Sequence, residues 1–225
     1  MKHGIKLGIA VAALALLAPG GAVRADDALI AAGRAIAANG VAPDRPGCAA
    51  CHMLNGAGQP DVGIPRLAGL TTQQIVAQLT YFAEGTRHDP AMSAASARLT
   101  PAQRQQAAAY FAALPLPPHT DPLPSPAALR ARGEALFHNG DQRTGLIACA
   151  LCHGATGLGV GEFSPRLAGQ SAAYVAAQLD AWHAGALRDP QGAFMRAEAR
   201  TLTPPDIAAL AAYVAALGDK EPQTP

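Results

Sequence analysis

Apolar positions along the chain recur at helical spacing and never alternate with period two over a useful length, so the pattern predicts helices and no strands. A first helix is predicted from about Asp27 to Ala38, ending at Asn39-Gly40. A second of the same character is predicted to begin at Ser125, with Pro126 in the first helical position, and to end at Asn139-Gly140. Another starts near Thr71, where Thr71 and Gln74 have capping-box spacing, and carries Ile75, Leu79 and Phe82 on one face. Its later copy carries Val175, Leu179 and Trp182. The last helix of each set is signalled by Thr100-Pro101 and by Thr203-Pro204, a capping threonine followed by proline.

These elements pair because the chain repeats itself, and a repeat changes how every later residue is read. Pro65-Arg66-Leu67-Ala68-Gly69 returns as Pro165-Arg166-Leu167-Ala168-Gly169, Gln78-Leu79 as Gln178-Leu179, Gly85 as Gly185, and Asp89-Pro90 as Asp189-Pro190. After a three-residue insertion the match resumes, with Leu99-Thr100-Pro101 against Leu202-Thr203-Pro204, Tyr110 against Tyr213 and Leu114 against Leu217. The chain is a tandem duplication of one helical unit.

The ends and the middle set the boundaries. Lys2 and Lys6, the apolar run from Leu7 to Ala18, and Val23-Arg24-Ala25 have the order of a secretory leader, with cleavage expected after Ala25. The apolar run is well short of the ~20 residues that span a bilayer, so no stable membrane insertion is expected after cleavage. Six prolines between Pro115 and Pro126 exclude a helix interior and favour an extended, semi-rigid spacer. The expected division is a leader over 1–25, a first domain over 26–114, a linker over 115–126, a second domain over 127–219 and a tail over 220–225.

Composition narrows the class. Half of the 225 residues are hydrophobic, but alanine rather than large side chains supplies much of that, so each half on its own would have a thin core. Three of the 17 basic residues, Lys2, Lys6 and Arg24, lie in the leader, which leaves the mature chain slightly acidic. No basic patch suggests nucleic acid.

The chemistry sits in one stretch used twice, Cys48-Ala49-Ala50-Cys51-His52 and Cys149-Ala150-Leu151-Cys152-His153. Two cysteines three apart in one helical turn point the same way, so both sulfurs can add to the two vinyl groups on one edge of a haem, and the next histidine faces the iron. This is the c-type haem attachment pattern. Two covalent haem c groups are expected, held by Cys48 and Cys51 and by Cys149 and Cys152, with His52 and His153 as axial ligands. Haem would also fill the thin cores, as metals and disulfides do in other small domains. Two disulfides, a zinc site or a thioredoxin-like redox pair are the alternatives. None of them needs a histidine after both pairs, and the pairs lie too far apart for a zinc ribbon.

For the sixth iron position the mature chain offers Met53, Met92 and Met195. Met53 directly follows His52 and cannot reach the opposite face of the same haem. Met92 and Met195 match in the repeat, each seven residues before the matched leucine, in what reads as an irregular stretch after Asp-Pro. The competing reading makes these methionines packing residues and gives the position to a histidine. His88 matches Arg188, and His138 and His183 match alanines, so no histidine serves both halves, and these three with His119 are expected at the surface or in structural roles.

Taken together, the two Cys-x-x-Cys-His stretches, each with Pro-Arg-Leu-Ala-Gly, a Gln-Leu helix, Asp-Pro before a methionine and a final Leu-Thr-Pro helix, resemble a two-haem cytochrome c of the cytochrome c4 family over nearly all of the mature chain. The resemblance implies an all-α fold of two tandem class I-type cytochrome c domains related by internal duplication. In that fold the first and last helices of each domain cross closely, an approach that Gly33 and Gly133 would permit and that Tyr110 and Tyr213 would fill. It also implies that the Pro65 and Pro165 carbonyls accept from the far ring nitrogens of His52 and His153, with Leu67 and Leu167 packed on the haem face. Arg66, Arg166, Gln78, Gln178 and Trp182 are candidate partners of the haem propionates. One departure is Met53-Leu54, where the second half has Gly154-Ala155.

The implied function is electron carriage in the bacterial periplasm. Electrons would come from a quinol-oxidising complex or a dehydrogenase and pass to a terminal oxidase or reductase, through transient docking of redox proteins. The resemblance also implies halves packed with approximate two-fold symmetry, exchanging electrons with each other faster than with any partner. The alternatives are a dedicated cytochrome subunit of a periplasmic dehydrogenase that oxidises a sulfur compound or an alcohol, and a two-haem peroxidase. Two methionine-ligated irons argue against the peroxidase, because peroxide needs an open iron position.

Overall fold

The computed structural model describes residues 25–118, 125–186 and 192–217. The leader up to residue 24, the centre of the linker with His119, residues 187–191, and the C-terminal tail lie outside the described residues. Among the described residues there are helices and no strands, only three isolated bridges that pin loops.

The first half contains α1 (Ala25–Asn39), α2 (Ala49–His52), α3 (Thr72–Glu84), α4 (Pro90–Ser96) and α5 (Pro101–Ala112). The second half repeats the order as α6 (Ala127–Asn139), α7 (Ala150–His153), α8 (Ala172–His183), α9 (Gly192–Ala199) and α10 (Pro204–Leu217). The starts follow local chemistry. Thr71 and Gln74 close a reciprocal capping box on α3, and Thr100 and Gln103 close another on α5, with Pro101 just inside. For α10 the same device uses an acid, since the Asp206 N–H donates to Thr203 Oγ1 while the Thr203 N–H donates back to Asp206 Oδ2. One boundary differs from expectation: Pro126 is not the first helical residue but the N-cap before α6, with ψ at 141°, outside the helical range.

In each half the first and last helices cross, α1 on α5 and α6 on α10, and the middle helix packs on the last. The crossings rest on two glycines. A Cβ on Gly33 would lie 1.9 Å from the Gln106 carbonyl oxygen, and one on Gly133 would lie 2.0 Å from that of Ala209. No side chain fits there, so glycine is required by the close approach of backbones. Tyr110 and Tyr213 fill the crossings as expected. The Tyr110 hydroxyl donates to the Leu54 carbonyl at 2.7 Å, whereas that of Tyr213 pairs with His138 Nε2 at 2.8 Å. Ile75 and Phe82 on α3, and Val175 and Leu179 on α8, are buried, with Leu79 and Trp182 partly so, which places the predicted apolar faces inward.

The halves touch through the repeated Pro-Arg-Leu-Ala-Gly loops. The Arg66 N–H donates to Gln170 Oε1 at 2.9 Å, and Gln170 Nε2 donates back to the Arg66 carbonyl at 3.0 Å. Arg66 Nη2 donates to the Ala168 carbonyl, and its guanidinium lies over Gly169, where a Cβ would meet it at 2.7 Å. Arg166 Cδ in turn lies over Gly69, although its Nε donates to the Ala168 carbonyl of its own half. The turn Pro60–Val62 of the first half packs against α8 of the second.

Gly33→Ala or Gly133→Ala should force its crossing apart and destabilise its half by about 1–3 kcal/mol, as overpacking does. Chemical denaturation measures this, and an unchanged midpoint would mean that the crossing has slack.

Candidate haem-attachment sites

Each Cys-x-x-Cys-His stretch is one turn of helix. Cys48 and Cys149 already have helical dihedrals at the N-caps of α2 and α7, and the His52 and His153 amides donate to their carbonyls at 2.9 Å. Residues three apart in a helix share a face, which puts both sulfurs of each pair on one side. All four thiols are free. Burial raises the pKa of Cys48, and it pushes Cys149 up to about 11. Such thiols are protonated at neutral pH, unlike the low-pKa thiols of redox pairs. Among the described residues no group of three or more His, Cys, Asp or Glu side chains converges as a metal cage.

His52 and His153 are the buried histidines among the described residues, at 6% and 7% exposure. Nδ1 of His52 lies 3.0 Å from the Pro65 carbonyl oxygen, and Nδ1 of His153 lies 2.9 Å from that of Pro165. A carbonyl only accepts, so the proton sits on Nδ1 and the lone pair on Nε2. Burial depresses the pKa of both rings; the proline hydrogen bonds oppose this, helped at His52 by the Asp89 carboxylate. The result is a neutral imidazole, locked in orientation, that presents Nε2 as a metal donor.

The loops that carry those prolines are built on glycines that sequence reasoning passed over. Gly58 donates to the His52 carbonyl at 3.1 Å, and Gly159 to that of His153 at 2.9 Å. The Gly56 carbonyl accepts from Leu67 and Ala68, and the Gly157 carbonyl from Leu167 and Ala168. A Cβ on Gly58 would sit 2.6 Å from the Pro65 carbonyl oxygen, and one on Gly159 would sit 2.9 Å from the Pro165 carbonyl carbon. The signal was present as Gly56-x-Gly58 repeated in Gly157-x-Gly159. Leu67 and Leu167 are partly buried, each against the core of its own half.

The departure after the first histidine has a structural cost. Met53 has φ at 62° and ψ at 153°, the one non-glycine with positive φ among the described residues, where Gly154 takes φ 79° in the second half.

Met92 and Met195 are on helices α4 and α9, which corrects the expectation of an irregular stretch. Asp89-Pro90 is the start signal for α4, since Asp89 Oδ1 accepts from Ala91 and Met92 while proline occupies the first turn. Both methionines are partly buried, on helices packed against α3 and α8 respectively. His88, His138 and His183 are exposed. His138 is engaged by Tyr213, and His183 Nδ1 donates to the Ala199 carbonyl at 2.9 Å.

A buried cation at the boundary of the halves was also missed. Arg87, at 9% exposure, donates from Nη1 to Gln78 Oε1, and from Nη2 to Gln178 Oε1 at 2.8 Å and Tyr174 at 3.2 Å. Its guanidinium stands 4.5 Å above the Phe82 ring. In sequence it is a lone arginine with no counterpart in the repeat, because Leu187 holds the matching position.

The cytochrome c family model matches twice, over residues 30–115 and 130–218. A thiosulfate dehydrogenase electron acceptor of Thiomonas intermedia (strain K12) is 42% identical over 77% of this chain and 80% of its own. Among solved structures, a thiosulfate dehydrogenase of Marichromatium purpuratum superimposes with a TM-score of 0.75 at 39% identity, over 83% of this chain. This chain spans only 40% of that one. Reduced cytochrome c4 of Pseudomonas stutzeri gives 0.71 at 30% identity, over 83% of this chain and 97% of its own. The chain belongs to the cytochrome c family, as a tandem two-domain, two-haem member similar to cytochrome c4. Its buried histidine donors and paired thiols fit covalent haem c in both halves, and its function is electron transfer.

Met53→Gly should stabilise the haem-loaded protein by about 1 kcal/mol, because relief of a strained positive-φ residue exceeds the entropy that glycine adds. A denaturation midpoint that stays put or falls would show that Met53 carries no strain.

Proposed function

We propose that this two-haem member of the cytochrome c family is an exported electron carrier that accepts electrons from a dehydrogenase oxidising a sulfur compound, thiosulfate above all. The observation that carries the reading is the pair of buried histidines, each held neutral with Nε2 free by a proline carbonyl. Bound haem supplies reversible one-electron exchange at iron.

The chain's own residues do the rest. Cys48 with Cys51, and Cys149 with Cys152, would hold the two groups by thioether bonds, and His52 and His153 would take one axial position each. Met92 and Met195 would take the other, a reading supported by their matched places on α4 and α9 and by the exposure of His88, His138 and His183. Pro65 and Pro165 hold the imidazole planes, and Leu67 and Leu167 would press on the haem faces. With His52, Met92, His153 and Met195 holding the two irons, neither would offer a position to substrate, so the chain would carry electrons rather than act as an enzyme, and methionine ligation would raise the potential. The leader pattern over 1–25 supports export to the periplasm, and no helix among the described residues is long and apolar enough to cross a membrane. The interlocked Arg66 and Gln170 contacts support the two halves, divided at the linker over 115–126, working as one relay.

The relatives favour the sulfur-compound donor, since the acceptor of a thiosulfate dehydrogenase is the more similar at 42% identity. A general carrier between a quinol-oxidising complex and a terminal oxidase or reductase is the second reading, favoured by the likeness to cytochrome c4 over nearly that whole chain.

Replacing Met92 or Met195 with alanine should lower the potential of its own haem and open that iron alone to carbon monoxide. Single variants that stay closed to carbon monoxide at wild-type potential would assign the position to another group. In stopped-flow mixing, a thiosulfate dehydrogenase with thiosulfate should reduce both haems at least tenfold faster than a quinol-oxidising complex does. The reverse order would favour the general carrier.

A further inference from the structure

Arg87 is a buried cation at the domain boundary that no described carboxylate balances. Its guanidinium is permanently charged and buried, yet each of its side-chain partners, Gln78, Gln178, Tyr174 and the Phe82 ring, is neutral. Nε is buried with no acceptor. No described carboxylate forms an ion pair with it, although surface arginines such as Arg132 and Arg143 have theirs. A buried cation without a counter-ion costs several kcal/mol, and proteins keep one only when an anion meets it. The family's cofactor brings such anions, since each haem carries two carboxylates.

The position of the cation says how many haems it serves. Gln78 and Gln178 are equivalent residues of the two halves, on α3 and α8, and both accept from the same guanidinium. Arg87 therefore stands where the duplication folds back on itself, equally related to both units. Leu187 supplies no second cation at the matching position.

We propose that Arg87 is the shared counter-cation for haem carboxylates of both domains, so that one residue of the first half raises the potential of both haems. A cation beside a haem disfavours the extra positive charge of ferric iron, and by neutralising a carboxylate it removes an anion that would favour it. Gln78 and Gln178 position the guanidinium and contribute no charge of their own.

The test uses the full two-haem protein, and it rests on haem attachment, which is checked separately by haem content per chain and by the methionine-to-iron charge-transfer band. Arg87→Gln keeps hydrogen-bonding capacity and removes the charge; spectroelectrochemical titration should show both midpoint potentials lowered. Arg87→Lys keeps the charge and should hold both potentials near wild type. Gln78→Glu brings a competing carboxylate to the guanidinium and should lower both potentials without touching Arg87, which keeps the proposal testable if Arg87→Gln fails to fold. Wild-type potentials in Arg87→Gln, or in Gln78→Glu when Arg87→Gln does not fold, would overturn the proposal and leave Arg87 a structural tie. A fall confined to one haem would overturn the sharing.

Discussion

A single hydrogen bond, from histidine Nδ1 to a proline carbonyl, organises each half of this molecule. It sets which ring nitrogen keeps its proton, and so it leaves the Nε2 lone pair free to act as a metal donor. Proline suits the accepting site because it lacks an N–H, so the loop asks for no amide partner there. The loop can come close enough only because Gly58 and Gly159 leave no Cβ in its way. The same glycine-rich segment ties back to Leu67 and Ala68, or to Leu167 and Ala168, so ring orientation and core packing are set by one stretch of backbone.

That loop also forms the contact between the halves. The Pro65 carbonyl accepts a hydrogen bond from His52 Nδ1 while its neighbour Arg66 exchanges two hydrogen bonds with Gln170, 104 residues away. Ligand geometry in one half is thereby coupled mechanically to the other, and the domains cannot drift apart without disturbing the loop that aims the histidine. Buried polar contacts of this kind contribute little net energy but penalise any arrangement that leaves them unpaired. They favour one docked geometry, which an electron relay requires.

Duplication has not produced equal halves. Gln170 stands where the first half has Leu70, Arg87 where the second has Leu187, and Met53 where the second has Gly154. Each difference falls at the boundary or beside a histidine. The two frameworks are alike and their electrostatic surroundings are not, which is the condition for two haems of one fold to differ in potential.

Short-range chemistry was legible in the sequence. The helical turn that pairs the cysteines, the capping box at Thr71 and the capping threonine at Thr100 are set by neighbouring residues, and the tandem repeat shows as matched motifs about a hundred residues apart, so a linear reading recovers them, whereas the crossing glycines followed only from the family resemblance. The methionine segments were misread as irregular because seven- and eight-residue helices are too short to show a period, even with Asp-Pro marking the start of α4. What tertiary structure alone decided is which polar groups meet across the boundary. The partners of Arg87 and Gln170 lie up to 104 residues away, and nothing near either residue in the chain names them. Their pairing depends on how the two halves dock, a property of packed surfaces that no local pattern encodes.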